Sequence, residues 1–165
     1  MDAHSTVALV RLADTLDVRV WVAGGWGIDA LIGEQTRSHD DLDLAVDTVR
    51  FEDFVDALMQ GGFEIDVNWM PVRLQMRRGD GAVVDLRPVS FGSGRCGVHE
   101  SLDGVQYLYP RRDLTFGTIA GHRVPCLSAM LQLGFHLGYA PSEQDRSDMA
   151  ALAAATGVEL REPYE

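Results

Sequence analysis

AGGWGIDALIGEQTRSHDDLDLAV, residues 23–46, decides how the rest of the chain is read. It follows the apolar run VRVWV, which reads as a buried strand stopping at Gly24-Gly25. Two residues without Cβ let the backbone turn sharply and pass close to a ligand. GWGIDALIGEQ then has helical spacing and a stop at Gly33. DLDLAV alternates polar and apolar residues, the signature of a strand. Side chains two apart on a strand share a face, so Asp41 and Asp43 point the same way.

Two neighbouring carboxylates repel and raise each other's pKa. A divalent cation between them removes that cost. Oxygen-only ligands favour Mg²⁺, which keeps waters and bridges to substrate phosphates. The helix after Gly24-Gly25 offers free N–H groups at its start, a natural phosphate site. Arg37 either neutralises a further phosphate oxygen or is a surface cation. Asp85, in VVDLR, lies on a strand with apolar neighbours, where a carboxylate must be paired or hold metal. It is either the ion-pair partner of an arginine such as Arg73 or Arg87, or a third carboxylate converging on Asp41 and Asp43. The second reading requires its strand to lie beside DLDLAV. Asp-x-Asp alone carries little weight: Glu64-x-Asp66 has the same form without a glycine turn before it, and reads as a solvated strand face.

Outside this stretch, residues 5–16 read as a leading helix. RFEDFVDALMQGG gathers Phe51, Phe54, Val55, Leu58 and Met59 on one helical face before a glycine stop. FEIDV, RLQMRRG and AVVDLRPV are strand candidates, the last two joined by a Gly-Asp-Gly hairpin signal. A second hairpin is expected around LDGVQYLY, and a further strand pair around Gly121. From Ser128 the pattern turns helical, with Ser142 as N-cap, Asp145 at N3 and Gly157 as stop. The order implies an α/β (α+β) fold, a mixed sheet flanked by helices. The expected division is a core over 1–127 and a C-terminal helical region over 128–165 packing on it.

A chain of 165 residues buries a core without disulfides. A net charge of −11 argues against a protein that holds long nucleic acid, which needs surplus Lys and Arg. It suits a cationic substrate, although acidity mostly serves solubility. Cys96 and Cys126 form no Cys-x-x-Cys pair, so two free thiols in a reducing compartment are expected. The start, MDAHSTVALV, lacks a basic segment and signal-like apolar run, and no stretch nears the ~20 apolar residues of a membrane helix. A cytoplasmic protein with no membrane partner is the expectation.

GGWGIDALIGEQTRSHDDLDL resembles the signature of the nucleotidyltransferase superfamily, in its small antibiotic-modifying branch. The resemblance continues through VNWMPVRLQMRRGDGAVVDLRPV and IAGHRVPCLSAMLQLGFHLGYAPSEQDRSDMAAL, covering most of the chain. It is nearest to short-type lincosamide nucleotidyltransferases. Aminoglycoside 2''-nucleotidyltransferases share the first motif but match the later segments less well. The resemblance implies a polymerase-beta-like fold and transfer of a nucleoside monophosphate from an NTP, with ATP expected, to a drug hydroxyl. Pyrophosphate is released. By position, Asp41 and Asp43 become Mg²⁺ ligands, and Asp85 the third carboxylate at the metal and the base for the attacking hydroxyl. The Gly24-Gly25 turn, read from the residues as a phosphate site, would then hold the triphosphate. A homodimer sharing the drug pocket is also implied.

Other side chains keep two readings each. His39 braces the strand or touches substrate. Trp69 stacks on a sugar or base, or packs at the rim. His136 and Tyr139, three apart on one helical face, line the drug pocket or pack between helices. Trp26 reads as helix packing. Asp40, Asp47, Arg146 and Asp148 read as surface residues. Competing functions are aminoglycoside O-nucleotidylation, modification of a protein or tRNA, and a nucleotide-binding module without turnover. Acidity weighs against tRNA, and the three aspartates weigh against loss of turnover.

Overall fold

A computed structural model describes residues 1–165. It places α1 at Ala3–Thr15, β1 at Val20–Val22, α2 at Gly24–Ile32, β2 at Asp41–Asp47 and α3 at Phe51–Gln60. Three strands follow, β3 (Phe63–Trp69), β4 (Arg73–Arg78) and β5 (Val83–Phe91). Then come the hairpin β6 (Cys96–Glu100) and β7 (Gln106–Pro110), and the pair β8 (Leu114–Ile119) and β9 (His122–Leu127). The chain ends in α4 (Ala129–Phe135) and α5 (Glu143–Thr156). No helix is long and apolar enough to cross a membrane.

Sequence signals set most of these boundaries. Asp2 caps α1 through the Ser5 N–H. Gly33 ends α2 in the left-handed region, at φ 90°. Ser142 and Asp145 form a reciprocal capping box on α5, which Gly157 stops at φ 73°. In α3, Phe51, Phe54, Val55 and Leu58 are buried as the spacing requires. Met59 is not: it is half exposed, because the helix turns it off the edge of that face.

The sheet runs β3-β4-β5-β2-β1-β9-β8, with β6 continuing from the end of β5 and β7 from β6. β2 is parallel to β5 and β1 to β9, while the other pairings are antiparallel. One face carries Leu42, Leu44, Val46, Leu74, Met76, Val84 and Leu86 into a core shared with α1 and α3. On the other face a smaller cluster forms from Trp21, Ala45, Val89, Tyr109, Leu127 and Leu131. A third, of Ile28, Leu133, Met149, Leu152 and Tyr164, joins α2 to α4 and α5.

Asp47 departs from expectation. It is buried, caps the short 3-10 turn through the Val49 N–H, and pairs with Arg19. Strand β2 runs on to this residue, so its carboxylate stays inside the fold. Glu64 and Asp66 are exposed on β3, as a solvated strand face should be.

Candidate active site

Strand alternation divides β2 cleanly. Leu42, Leu44 and Val46 enter the large core, so Asp41, Asp43 and Ala45 must take the opposite face. The parallel register pairs Asp43 with Asp85 and Ala45 with Arg87. Antiparallel β4 sets Gln75 opposite Asp85. Arg73, two residues earlier on the same face, reaches the Asp85 carboxylate. Its Nε donates to Oδ2 at 2.6 Å, and Nη2 contacts the same oxygen. Both readings of Asp85 therefore meet: it stands beside Asp43 and is ion-paired with Arg73.

That arrangement is electrostatically loaded. Burial, then the charges of Asp41 and Asp85, push the Asp43 carboxyl up to about 6, with Arg87 and Arg73 opposing only in part. Asp85 is 1% exposed, and its Oδ1 has no hydrogen-bond partner. Buried carboxylate oxygens without partners are costly. The three aspartates do not close into a preformed cage of three metal-binding side chains. Arg73 already occupies Oδ2 of Asp85, which leaves only Oδ1 to turn toward a cation. Asp41 and Asp43, with the raised pKa of Asp43 and no counter-ion bonded to either, fit a divalent cation better than Asp85 does.

Gly24 and Gly25 open α2, and Gly24 has φ +57°. A Cβ at Gly24 would lie 2.2 Å from Asp43 Oδ2, so the turn and the carboxylate are in direct apposition. A Cβ at Gly25 would lie 2.4 Å from His39 Nδ1 and 2.6 Å from Arg37 Nη2. Neither neighbour can easily yield. His39 is buried, stacked on Trp26, with Nε2 bonded to Asp29 Oδ2 at 2.5 Å. Burial would raise Asp29, but hydrogen bonds from His39 and Thr36 outweigh it and hold the carboxyl below its usual range. Gly25→Ala is therefore expected to cost about 1–3 kcal/mol in denaturant unfolding through overpacking. It should also raise the KM for nucleotide tenfold or more, since the turn must shift. A variant with unchanged stability and KM would show the turn to be slack.

Arg37 meets Gly25 as required of a phosphate ligand, but its donors are engaged elsewhere. Nε and Nη2 bond the Asp148 carboxylate, Nη2 at 2.8 Å, and Nη1 donates to Ser38 O. Asp148 is 7% exposed and not a solvated helix face as expected. The pair ties α5 to the loop before β2. Arg146 does lie at the surface and donates to Pro163 O.

A cavity of about 380 Å³ opens over Asp43, lined also by Gly24, Ala45, Arg87, His99, Tyr107, Tyr109, Gln132, Phe135 and His136. His136 thus reaches the cavity, with Nδ1 bonded to Gln132 O at 2.8 Å. Tyr139 does not line it; it is half exposed and bonds Asp145. The two do not share a helical face, because α4 stops at Phe135, His136 is its C-cap and Gly138 (φ +94°) redirects the chain. Trp69 is half exposed outside the cavity, with Arg73 over its ring at 5.5 Å. Its ring backs the arginine that holds Asp85.

The walls were not anticipated. His99, Tyr107 and Tyr109 come from the β6–β7 hairpin, which folds over the carboxylate face because β6 pairs with the end of β5. Burial pushes the Tyr109 phenol up to about 12, so it remains a hydrogen-bond donor at neutral pH. Gln132 had a legible signal: it is a lone amide between Leu131 and Leu133 in the apolar run SAMLQLGF.

The family model for aminoglycoside-2''-adenylyltransferase matches residues 6–152. The chain belongs to this family. It is accordingly a nucleotidyltransferase, and its antibiotic-modifying relatives fit the same fold. A lincosamide resistance protein of Staphylococcus haemolyticus is 28% identical over 90% of this chain and 92% of its own length. The crystal structure of the lincosamide antibiotic adenylyltransferase LnuA, lincomycin-bound, superposes with a TM-score of 0.83 at 28% identity. It spans 91% of this chain and 95% of that one. A 2''-aminoglycoside nucleotidyltransferase of Escherichia coli is 47% identical, but over 36 residues, 22% of this chain and 20% of its own. ANT(2'')-Ia in complex with adenylyl-2''-tobramycin shares the fold, with a TM-score of 0.73 at 19% identity, covering 92% of this chain and 87% of that one.

Proposed function

We propose that this family member transfers the adenylyl group of ATP to a hydroxyl of a lincosamide and releases pyrophosphate. The observation that carries the reading is the Gly24 turn set against Asp43 at one cavity, with Asp85 in register beside Asp43 on the neighbouring strand. A turn suited to phosphate and a carboxylate suited to a cation meet at that cavity, and Asp85 lies behind them on the adjacent strand, beside Asp43. The near full-length likeness to LnuA and to the staphylococcal lincosamide resistance protein favours the lincosamide as acceptor.

Each residue then has a task. Asp41 and Asp43 hold Mg²⁺, which supplies charge neutralisation at the phosphates when bound. The first turn of α2 accepts the phosphate chain. The cavity walls of Tyr107, Tyr109, Phe135 and His136 seat the acceptor over Asp43. Asp85 takes the hydroxyl proton through Oδ1, while Arg73 fixes Oδ2. The new bond joins the drug oxygen to the α-phosphorus. The bond from that phosphorus to its bridging oxygen breaks, and its electron pair leaves with pyrophosphate.

A second reading, adenylation of an aminoglycoside, is favoured by the matched family model and the short segment of high identity. One experiment separates them: mass spectrometry of lincomycin and tobramycin after incubation with ATP and Mg²⁺. A gain of one adenylyl group on lincomycin alone is expected. A gain on tobramycin alone would replace the proposal with the second reading. No gain on either, with pyrophosphate released only when a protein or tRNA is supplied to accept the adenylyl group, would refute both.

A further inference from the structure

The assignment of the phosphate chain to the first turn of α2 leaves one buried group unexplained. Gln132, on α4, is 1% exposed, and its Nε2 has no hydrogen-bond partner. A buried donor without an acceptor destabilises the fold, so such atoms are rare unless a ligand completes them. The atom lies against α2: a Cβ on Gly27 would come within 2.1 Å of it. Gln132 also lines the cavity that holds Ala23, Gly24 and Asp43.

The start of α2 is open in the same place. The helix has nine residues, and its N-cap, Ala23, provides no side-chain hydrogen bond. Gly27 N–H reaches back to Ala23 O at 3.0 Å, so the three N–H groups before it have no acceptor within the helix. Gly24, the first of these three, lines the same cavity as Gln132, so a backbone donor and a neutral amide donor meet at one volume. They lack an anionic acceptor, and Asp43 across the turn supplies a place for the cation that would accompany one.

We propose that Gln132 is a phosphate-binding residue, its Nε2 donating to a phosphate oxygen of the nucleotide held at the first turn of α2. The assignment rests on the nucleotidyltransferase reading of this cavity and adds a contact from α4. A neutral amide suits the position. It orients the phosphate chain without the long-range attraction of an arginine, so pyrophosphate can leave after transfer.

The test is calorimetric binding of MgATP and of magnesium pyrophosphate to the full chain, unaltered and as Gln132→Met and Gln132→Glu. Met removes the donor at similar length, and Glu keeps the shape while adding a charge that repels phosphate. Both ligands should bind about ten- to a hundredfold more weakly to Gln132→Met, the range for a hydrogen bond to a charged group, and more weakly still to Gln132→Glu. Lincomycin affinity should change little, and the melting temperature of Gln132→Met should not fall, since the substitution removes an unsatisfied buried donor. MgATP affinity like that of the unaltered protein in Gln132→Met would overturn the assignment alone. So would a lowered melting temperature with unchanged MgATP affinity, which would make Gln132 a brace between α4 and α2. Failure of the unaltered protein to bind MgATP would overturn the nucleotide reading of the cavity along with it.

Discussion

Asp43→Ala and Asp41→Ala are each expected to reduce turnover to background. The two carboxylates share one strand face with no counter-ion bonded to either, so the cation that clamps the phosphates loses half its protein ligands. Chelation by EDTA should have the same effect, reversed by excess Mg²⁺. A second measurement follows from the raised carboxyl of Asp43, up to about 6 from 3.8. A carboxyl whose folded pKa exceeds its unfolded one stabilises the fold most below the unfolded value, and that stability is lost as pH rises through about 6. At pH 7.5 the metal-free protein therefore carries an ionised, crowded Asp43. Asp43→Asn removes that charge and should melt higher than the unaltered protein in EDTA at pH 7.5, with the difference shrinking toward pH 4. Mg²⁺ should raise the melting temperature of the unaltered protein and not of the variant. Full activity in EDTA would dispose of the two-carboxylate site.

Asp85→Asn is expected to lower kcat by about 10²–10⁴-fold, the usual range for loss of a general base. A drug hydroxyl is a poor nucleophile at neutral pH, and Asn fills the same space but accepts no proton. Oδ1 of Asp85 has no partner in the structure, while Oδ2 is fixed by Arg73, so the carboxylate is oriented with one oxygen spare. Arg73 is a quarter exposed and can turn to water when the ion pair is removed. MgATP affinity should fall less than tenfold, because Asp41, Asp43 and the glycine turn are untouched. Turnover measured beside calorimetric binding decides the matter. Near-normal kcat would remove Asp85 from the base role. Loss of MgATP binding as complete as in Asp43→Ala would make it chiefly a metal ligand.

What was legible in the sequence was local. Period-two alternation put Asp41 and Asp43 on one face, and caps and glycines marked the ends of α2 and α5. Asp85 could be singled out because a carboxylate in VVDLR is chemically out of place, although its two readings could not be separated without the β2–β5 register. Contacts between distant segments were not legible. Arg37 finds Asp148 across 111 residues, and no periodicity in either segment announces the other. Asp47 reads as a strand-end surface residue until Arg19 is brought beneath it by β1. The cavity walls were missed for the same reason: QYLY is an ordinary strand until β6 pairs with β5 and swings Tyr107 and Tyr109 over Asp43.

The position of β1 has a consequence for how the enzyme is made. This three-residue strand lies between β2, which follows closely, and β9, near the other end of the chain, through the single register pair Val22 with Cys126. The Gly24-Gly25 turn hangs from its end. Pairings between distant segments are slow to form, because chain closure must be achieved before the contacts reward it. On the ribosome, at about 5–20 residues per second, β1 through β5 emerge seconds before β9 does. During that interval one edge of β1 is unpaired and α2 lacks the β8–β9 pair it packs against. The carboxylate strands can therefore assemble early, whereas the phosphate end of the site is a late product of synthesis. Refolding followed by MgATP binding should lag behind refolding followed by β-sheet signal.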